Sequence, residues 1–275
     1  MSVEVDADVV VHLGAPPASR DTTRAARGRI GDDAVIEVRD GSEIHIDLRT
    51  DALDRATLSQ YVTGACLALV LTQRGFLVLH AGACVVGDGA VAFVGPSGAG
   101  KSTTIEAMRQ AGYRILSDDL VVLRVPDVGS PSVQPGIPRI RLRPDSAAAL
   151  GWDGGAAGPK TVPKSVRRID DDLATDAVPL RALYLLSGGD QAAVEPCDDV
   201  SALRVLLTNT RGAAGHGGAD FAAVLLRRYR RLLDAVEVRR LTRPTSSATA
   251  PSVDTAGVVA AVLRAQASAA AEPAH

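Results

Sequence analysis

The sequence predicts an α/β fold in which a mixed sheet with flanking helices is preceded by a small β-rich N-terminal subdomain. Three observations predict it. From residue 76 onward, apolar runs of strand length alternate with segments of helical period. Residues 95–102 form a glycine-rich segment between an apolar strand pattern and a helix pattern. Residues 34–49 alternate apolar and polar around an Asp40-Gly41 step, which is a hairpin pattern.

Along the chain, residues 1–29 hold a short apolar run, read as a strand, and then a Pro-, Ser-, Thr- and Arg-rich stretch, read as a loop. Residues 52–73 place Leu53, Leu58, Val62, Leu67 and Leu71 at helical spacing, with Thr50 or Asp51 as the N-cap. FLVLHAGACVV and AVAFVG give two strands joined by the Gly87-Asp88-Gly89 turn, and a helix follows over 102–111. The next strand is YRILSDD, continuing through LVVLRV. Residues 126–180, rich in Pro, Gly, Arg and Asp, read as a long irregular excursion of the kind that is often functional. A strand over 182–189, helices over 198–210 and 219–235, a strand over 236–241 and a helix over 252–268 capped by Asp254 complete the core. The predicted division is a β-rich region plus helix over 1–74, a catalytic domain over 75–268 and a frayed Ala-rich tail over 269–275.

Composition narrows the function. With 30 basic and 32 acidic side chains the formal net charge is −2, which disfavours a nucleic-acid partner held by a basic surface. Aromatics are 3% of residues, so there is no stacking platform for single strands. Cys66, Cys84 and Cys197 are odd in number and lack zinc-site spacing, so reduced, mostly buried thiols are expected. The N-terminus is acidic rather than basic, and the apolar stretch 65–86 is interrupted by Gln73, Arg74 and His80. No membrane association and a cytoplasmic location are therefore expected.

The segment Gly95, Pro96, Ser97, Gly98, Ala99, Gly100, Lys101, Ser102 satisfies G-x-x-x-x-G-K-S, and Thr103 continues it into the helix pattern. Glycines let the backbone approach phosphates closely, and the loop N–H groups converge on their oxygens. The positive end of the following helix faces the same anion. Lys101 supplies a mobile charge to the β- and γ-phosphates, and the Ser102 hydroxyl is placed to ligate Mg2+. ATP and Mg2+ are the expected cofactors.

After a single helix pattern the next strand ends in Asp118 and Asp119. Beside a phosphate loop, one carboxylate can hold the metal and the other can accept the proton of an attacking hydroxyl. His80 lies in the strand before the loop strand. His12, His45, His216 and His275 have no constellation around them in the sequence.

The order LHAGACVV, GPSGAGKST, RILSDD resembles the C-terminal catalytic domain of the HPr kinase/phosphorylase family over residues 76–125, and more weakly to about 265 by element order. The resemblance implies that residues 95–102 bind the phosphates and that Ser102 ligates magnesium. It implies that Asp118 and Asp119 divide metal binding and base catalysis, in an order left open, and that His80 lines the site near the transferred phosphate. The chain departs from that family in reading Gly100-Lys101-Ser102-Thr103 and in lacking its E-[apolar]-R-G-[apolar]-G segment after the aspartates. In that region it carries PGIPRIRLRPD, more similar to the divergent HPr-kinase-like enzymes that tailor ribosomal peptides, including the lasso-peptide type. That implies a peptide or protein partner phosphorylated on a serine hydroxyl; the family also implies a homo-oligomer.

Arg139, Arg141 and Arg143 alternate in this segment, so on a strand they share one face, where they can neutralise phosphate charge or hold a peptide carboxylate. Arg139 is the first choice among them, and Lys160 and Lys164 are lid candidates. The expected activity is transfer of the γ-phosphate of ATP to a hydroxyl. A small-molecule kinase and a non-catalytic, nucleotide-gated peptide-binding module remain as alternatives.

Overall fold

The computed structural model describes residues 8–16, 25–152, 156–157, 164–213, 219–244 and 254–271. Lys160, His216 and His275, named above, lie outside these residues.

Strands β1 (Val10–Leu13), β2 (Ala25–Ile30), β3 (Ala34–Arg39) and β4 (Glu43–Leu48) form an N-terminal sheet in the order β1-β4-β3-β2. The β3–β4 hairpin turns where expected, with Asp40 and Gly41 at φ 52° and 67°, the left-handed pair such a turn requires. Ile36, Val38, Ile44 and Ile46 bury one face against Cys66 and Val70 of the following helix. That helix runs as α1 (Arg55–Tyr61), a π-helical turn (Val62–Cys66) and α2 (Leu67–Gln73). It starts later than the sequence predicts. Asp54 is the N-cap, accepting from Thr57 N at 2.7 Å, while the Thr50 hydroxyl donates to Asp33 at 2.6 Å. The Thr50 hydroxyl is thus engaged by Asp33, and with the first turn beginning at Arg55 it is Asp54, not Thr50 or Asp51, that stands at the cap position.

The main mixed sheet contains β5 (Leu77–Leu79), β6 (Ala81–Val86), β7 (Gly89–Val94), β8 (Ile115–Ser117), β9 (Val121–Arg124) and β10 (Ser132–Gln134). A second, three-stranded sheet is made by β11 (Arg139–Leu142), β12 (Ala156–Ala157) and β13 (Ser165–Arg168). Strands β14 (Val178–Gly189), β15 (Ala193–Pro196) and β16 (Glu237–Pro244) complete the main sheet. Its central strand, β14, runs parallel to β7 on one edge and to β16 on the other. The helices are α3 (Lys101–Gln110), α4 (Pro144–Ala149), α5 (Asp199–Thr208), α6 (Ala219–Ala235) and α7 (Thr255–Ala271). Asp254 caps α7 as predicted, accepting from Gly257 N at 2.8 Å. The helix extends to Ala271, past the start of the predicted frayed tail.

The sheet is covered on both faces, which is why β7 reads as an unbroken apolar run. Ala90, Ala92 and Val94 face a core shared with Ala202 and Leu206 of α5 and Tyr229 and Leu232 of α6. Val91 and Phe93 face the opposite core, with Ile105 and Met108 of α3, Val262 of α7 and Ile140 of the small sheet.

Two expectations need correction. The run FLVLHAGACVV is two strands parted at His80, and YRILSDDLVVLRV is two strands parted at Asp118, Asp119 and Leu120. The excursion 126–180 is also more ordered than its composition predicts, because β11–β13 pair with one another and α4 packs Ala147 beside Ile140. Among the described residues, no helix is long and apolar enough to cross a membrane.

Candidate active site

The glycine-rich loop leaves the carboxyl end of β7, and α3 begins at Lys101. Gly98 and Gly100 have φ 87° and 89°, values that side-chain-bearing residues rarely adopt. At Gly100 space is a second reason, since a β-carbon there would lie 1.4 Å from Arg243 Nη1. The parallel register of β7, β14 and β16 carries Arg243 to this end of the sheet. Its Nη1 donates to Ala99 O at 2.7 Å, and its buried Nε has no partner among the described residues.

Lys101 is buried, with Nζ donating to Gly95 O at 2.7 Å and Pro96 O at 3.0 Å. Burial lowers its pKa to about 8, opposed by the charges of Asp119 and Asp118. Pro96, Ser97 and Gly98 are exposed, Ser102 is half-buried and Thr103 is buried.

The acidic pair sits at a seam in the main sheet. β5 pairs with β9, whereas β6 pairs with β7 and β8. Each chain segment therefore crosses from one group of strands to the other, and it does so at His80 and at Asp118–Asp119–Leu120. The two breaks lie side by side, because Leu79 pairs with Val121 and Ala83 with Ser117. The second crossing is closed by the Ser117 hydroxyl, which donates to Leu120 O at 2.6 Å, and it leaves Asp119 at φ 76°. A non-glycine residue held there is strained, a condition that clusters at functional sites.

His80 Nδ1 lies 3.1 Å from the Asp119 carbonyl and 3.3 Å from Asp119 Oδ1. A carbonyl only accepts, so Nδ1 carries the proton and Nε2 is the basic nitrogen when the ring is neutral. Asp119 Oδ2 is 3.4 Å from Arg141 Nη1. Burial alone would raise the Asp119 pKa. The His80 hydrogen bond and the charges of Lys164, His80 and Arg141 outweigh it and hold the carboxyl well below its usual range.

Asp118 is in the opposite situation. Its Oδ2 accepts from Arg141 N at 3.0 Å, but its Oδ1 is buried and makes no hydrogen bond among the described residues. Burial raises its pKa to about 6. The Arg141 N–H and Ser102 side chain work against that rise, and the Asp119 charge adds to it. An ionised oxygen without a donor, beside the phosphate-loop serine, fits a cation such as Mg2+. Gly98, Gly100 and Lys101 likewise fit a polyphosphate.

Arg139 and Arg141 share the face of β11 turned to the aspartates, as the alternation predicts, but their contacts differ. Arg139 Nη2 donates to Thr63 Oγ1 at 2.9 Å, reaching the π-helical turn. Arg141 pairs with Asp119. Arg143 lies past the strand end and is exposed. Lys164 influences Asp118, Asp119 and Lys101 electrostatically.

Beyond the aspartates opens a cavity of about 970 Å³. His80, Asp118, Asp119 and Arg139 are among its lining residues. Leu67, Leu71, Phe76, Leu120 and Ile137 give it apolar walls, and Arg27, Arg74 and Arg211 add basic groups.

Sequence reasoning did not single out Arg243 or Arg211, and it ranked Arg141 below Arg139. Arg243 lies far downstream of the loop, and only the parallel pairing of β14 with β16 brings them together. The backbone N–H of Arg141 on Asp118 has no residue-type signal at all. His12 and His45, which have no constellation in the sequence, do meet in the structure, with ring centroids 4.6 Å apart.

No family model matches the chain, and no curated protein matches it in sequence. In structure it is similar to the Hpr(Ser) kinase/phosphatase from Coxiella burnetii, with 11% sequence identity and a TM-score of 0.35 over 71% of this chain and 99% of that one.

Proposed function

We propose that this chain is an ATP- and Mg2+-dependent kinase that transfers the γ-phosphate to a hydroxyl, a serine of a peptide or protein. The observation that carries this reading is the placement of the acidic pair. Both carboxyls line the cavity, but Asp118 is buried and interacts with the phosphate-loop Ser102, whereas Asp119 beside it is more exposed and held by His80 and Arg141.

Gly98, Gly100 and Lys101 hold the polyphosphate, and Lys101 exchanges its two loop carbonyls for phosphate oxygens. Ser102 and Asp118 would hold Mg2+, which would supply positive charge to the transferring phosphoryl group. Asp119 accepts the hydrogen bond of the incoming hydroxyl, aims it, and takes its proton as the new O–P bond forms and ADP leaves. A carboxylate of low basicity suffices, because phosphoryl transfer through a loose transition state depends on positioning more than on base strength. His80 and Arg141 fix the Asp119 carboxylate in place. The apolar walls exclude water from the acceptor side, which suppresses hydrolysis of ATP. Arg74 and Arg211 favour an anionic acceptor such as a peptide with a free carboxylate.

Purified protein incubated with γ-labelled ATP, Mg2+ and a panel of serine-containing peptides tests the reading, with product mass as the readout. A peptide gaining one phosphate, and losing that gain with Asp119→Asn, supports it. Transfer only to metabolites moves the acceptor class to small molecules. ATP binding without transfer to any acceptor refutes the kinase reading.

A further inference from the structure

Away from the phosphate loop, the face of the N-terminal sheet turned from its apolar core carries a cluster of a different chemistry, in which His12 and Glu43 are exposed and His45 is buried. The parallel register of β1 on β4 sets His12 directly opposite His45. Glu43 and His45 are two apart on β4, so their side chains leave the same face. One potential ligand atom from each of His12, Glu43 and His45 lies within 4.8 Å of the others. The two imidazoles stack with centroids 4.6 Å apart and an interplanar angle of 13°. His45 Nε2 is 3.0 Å from Glu43 Oε2, and this contact, the leading cause, holds the Glu43 carboxyl below its usual range.

We propose that His12, His45 and Glu43 form a binding site for a borderline transition-metal cation of the Zn2+ class. Two imidazoles and one carboxylate are a donor set that Zn2+ takes in tetrahedral geometry, with a fourth position left for water. The cation takes the place of the proton between His45 Nε2 and Glu43 Oε2, with the His45 ring proton on Nδ1, and His12 supplies the third ligand. Small side-chain rotations close the ligand set, and exposed His12 and Glu43 leave an entry path from solvent.

The neighbouring charges are compatible with the site. Glu37, opposite His45 on β3, is buried and ion-paired with both Arg27 and Arg39, so the nearest cations are already engaged by an acid. The consequence is mechanical. Among the described residues β1 is an edge strand that pairs only with β4, and Val11 and Leu13 are exposed. A metal bridging His12 to His45 staples that strand to its neighbour.

The test titrates tag-free full-length protein with ZnCl2 by calorimetry, in excess Mg2+ so that the phosphate-loop site does not report. One Zn2+ per chain is expected at micromolar or tighter affinity, weakened at least about tenfold in His12→Asn and in Glu43→Gln. Amide exchange over residues 10–13 should slow on Zn2+ addition, and Co2+ should give the visible absorption of a low-symmetry site. Nucleotide binding by both variants verifies that they fold. Absence of Zn2+ binding to the wild-type protein overturns the proposal. So does binding that is unchanged in both folded variants.

Discussion

Asp118 is buried beside the phosphate loop with one oxygen that makes no hydrogen bond of ordinary geometry among the described residues, and the nearby Ser102 side chain only partly offsets its burial, so its charge works against folding whenever no cation is bound. The rise of its pKa from 3.8 to about 6 corresponds, at ~1.4 kcal/mol per pH unit, to ~3 kcal/mol. The sign follows from linkage. An acid with a raised folded-state pKa destabilises the fold fully above that pKa, and the cost disappears as pH falls below the unfolded value. Asp118→Asn removes the charge but keeps an oxygen for the Arg141 N–H. The new amide NH2, if left without a partner, takes back ~1–2 kcal/mol, leaving a net gain of ~1–2 kcal/mol. Differential scanning calorimetry without nucleotide or divalent cation should therefore show Asp118→Asn melting about 2–6 °C above the wild type at about pH 7.5. The difference should shrink between about pH 6 and pH 4. With Mg2+ and ADP the order should reverse, because only the wild type retains the carboxylate that binds the metal, and phosphoryl transfer by the variant should be lost. A variant less stable than wild type at neutral pH without ligands would refute the account of Asp118 as an uncompensated charge awaiting a cation.

Other perturbations probe the neighbouring contacts. His80→Ala removes the partner that helps hold Asp119 ionised and oriented, so kcat should fall by about a hundredfold while the KM for ATP stays within about twofold in a coupled assay. Gly100→Ala forces a side chain into a left-handed conformation and against Arg243; it should cost ~1–3 kcal/mol by urea titration and abolish nucleotide binding by calorimetry. Trp152→Phe deletes the 2.9 Å hydrogen bond from Nε1 to Glu106, which is fully buried in α3, and should lower stability by ~1–3 kcal/mol in the same titration.

The legible parts of the fold were those with local causes. The β7–loop–α3 unit follows from an apolar run, glycines at special backbone angles and a helical pattern in immediate succession. The β3–β4 hairpin follows from Asp40-Gly41. What resisted sequence reading was decided by partners distant in the chain. The apolar run 76–86 carries no breaker at His80, because the break there exists only to change pairing partners between β9 and β7. The small sheet β11–β13 was hidden because its strands are short and separated by a Gly/Pro-rich stretch, so no local period announces them.

The same distinction explains the candidate site. Lys101, Ser102 and the aspartates could be singled out in the sequence because the proposed phosphate site needs those residue types close together. Their proposed division of labour could not, because the two carboxyls are identical in sequence and differ only in surroundings. Arg141 gives its backbone N–H to Asp118 and its guanidinium to Asp119, so a single residue of β11 touches both acids in different ways. His80 then adds to Asp119 alone. One carboxyl is thereby pushed up to about 6 and its neighbour held below the normal range. On the proposed reading, two adjacent acids driven apart in this way take two tasks: the more buried one would hold a metal ion that offsets its desolvation, and the more exposed one would meet a hydroxyl that needs only a fixed acceptor. The seam that parts β8 from β9 keeps both acids at one site, because a continuous strand would send the two side chains to opposite faces of the sheet.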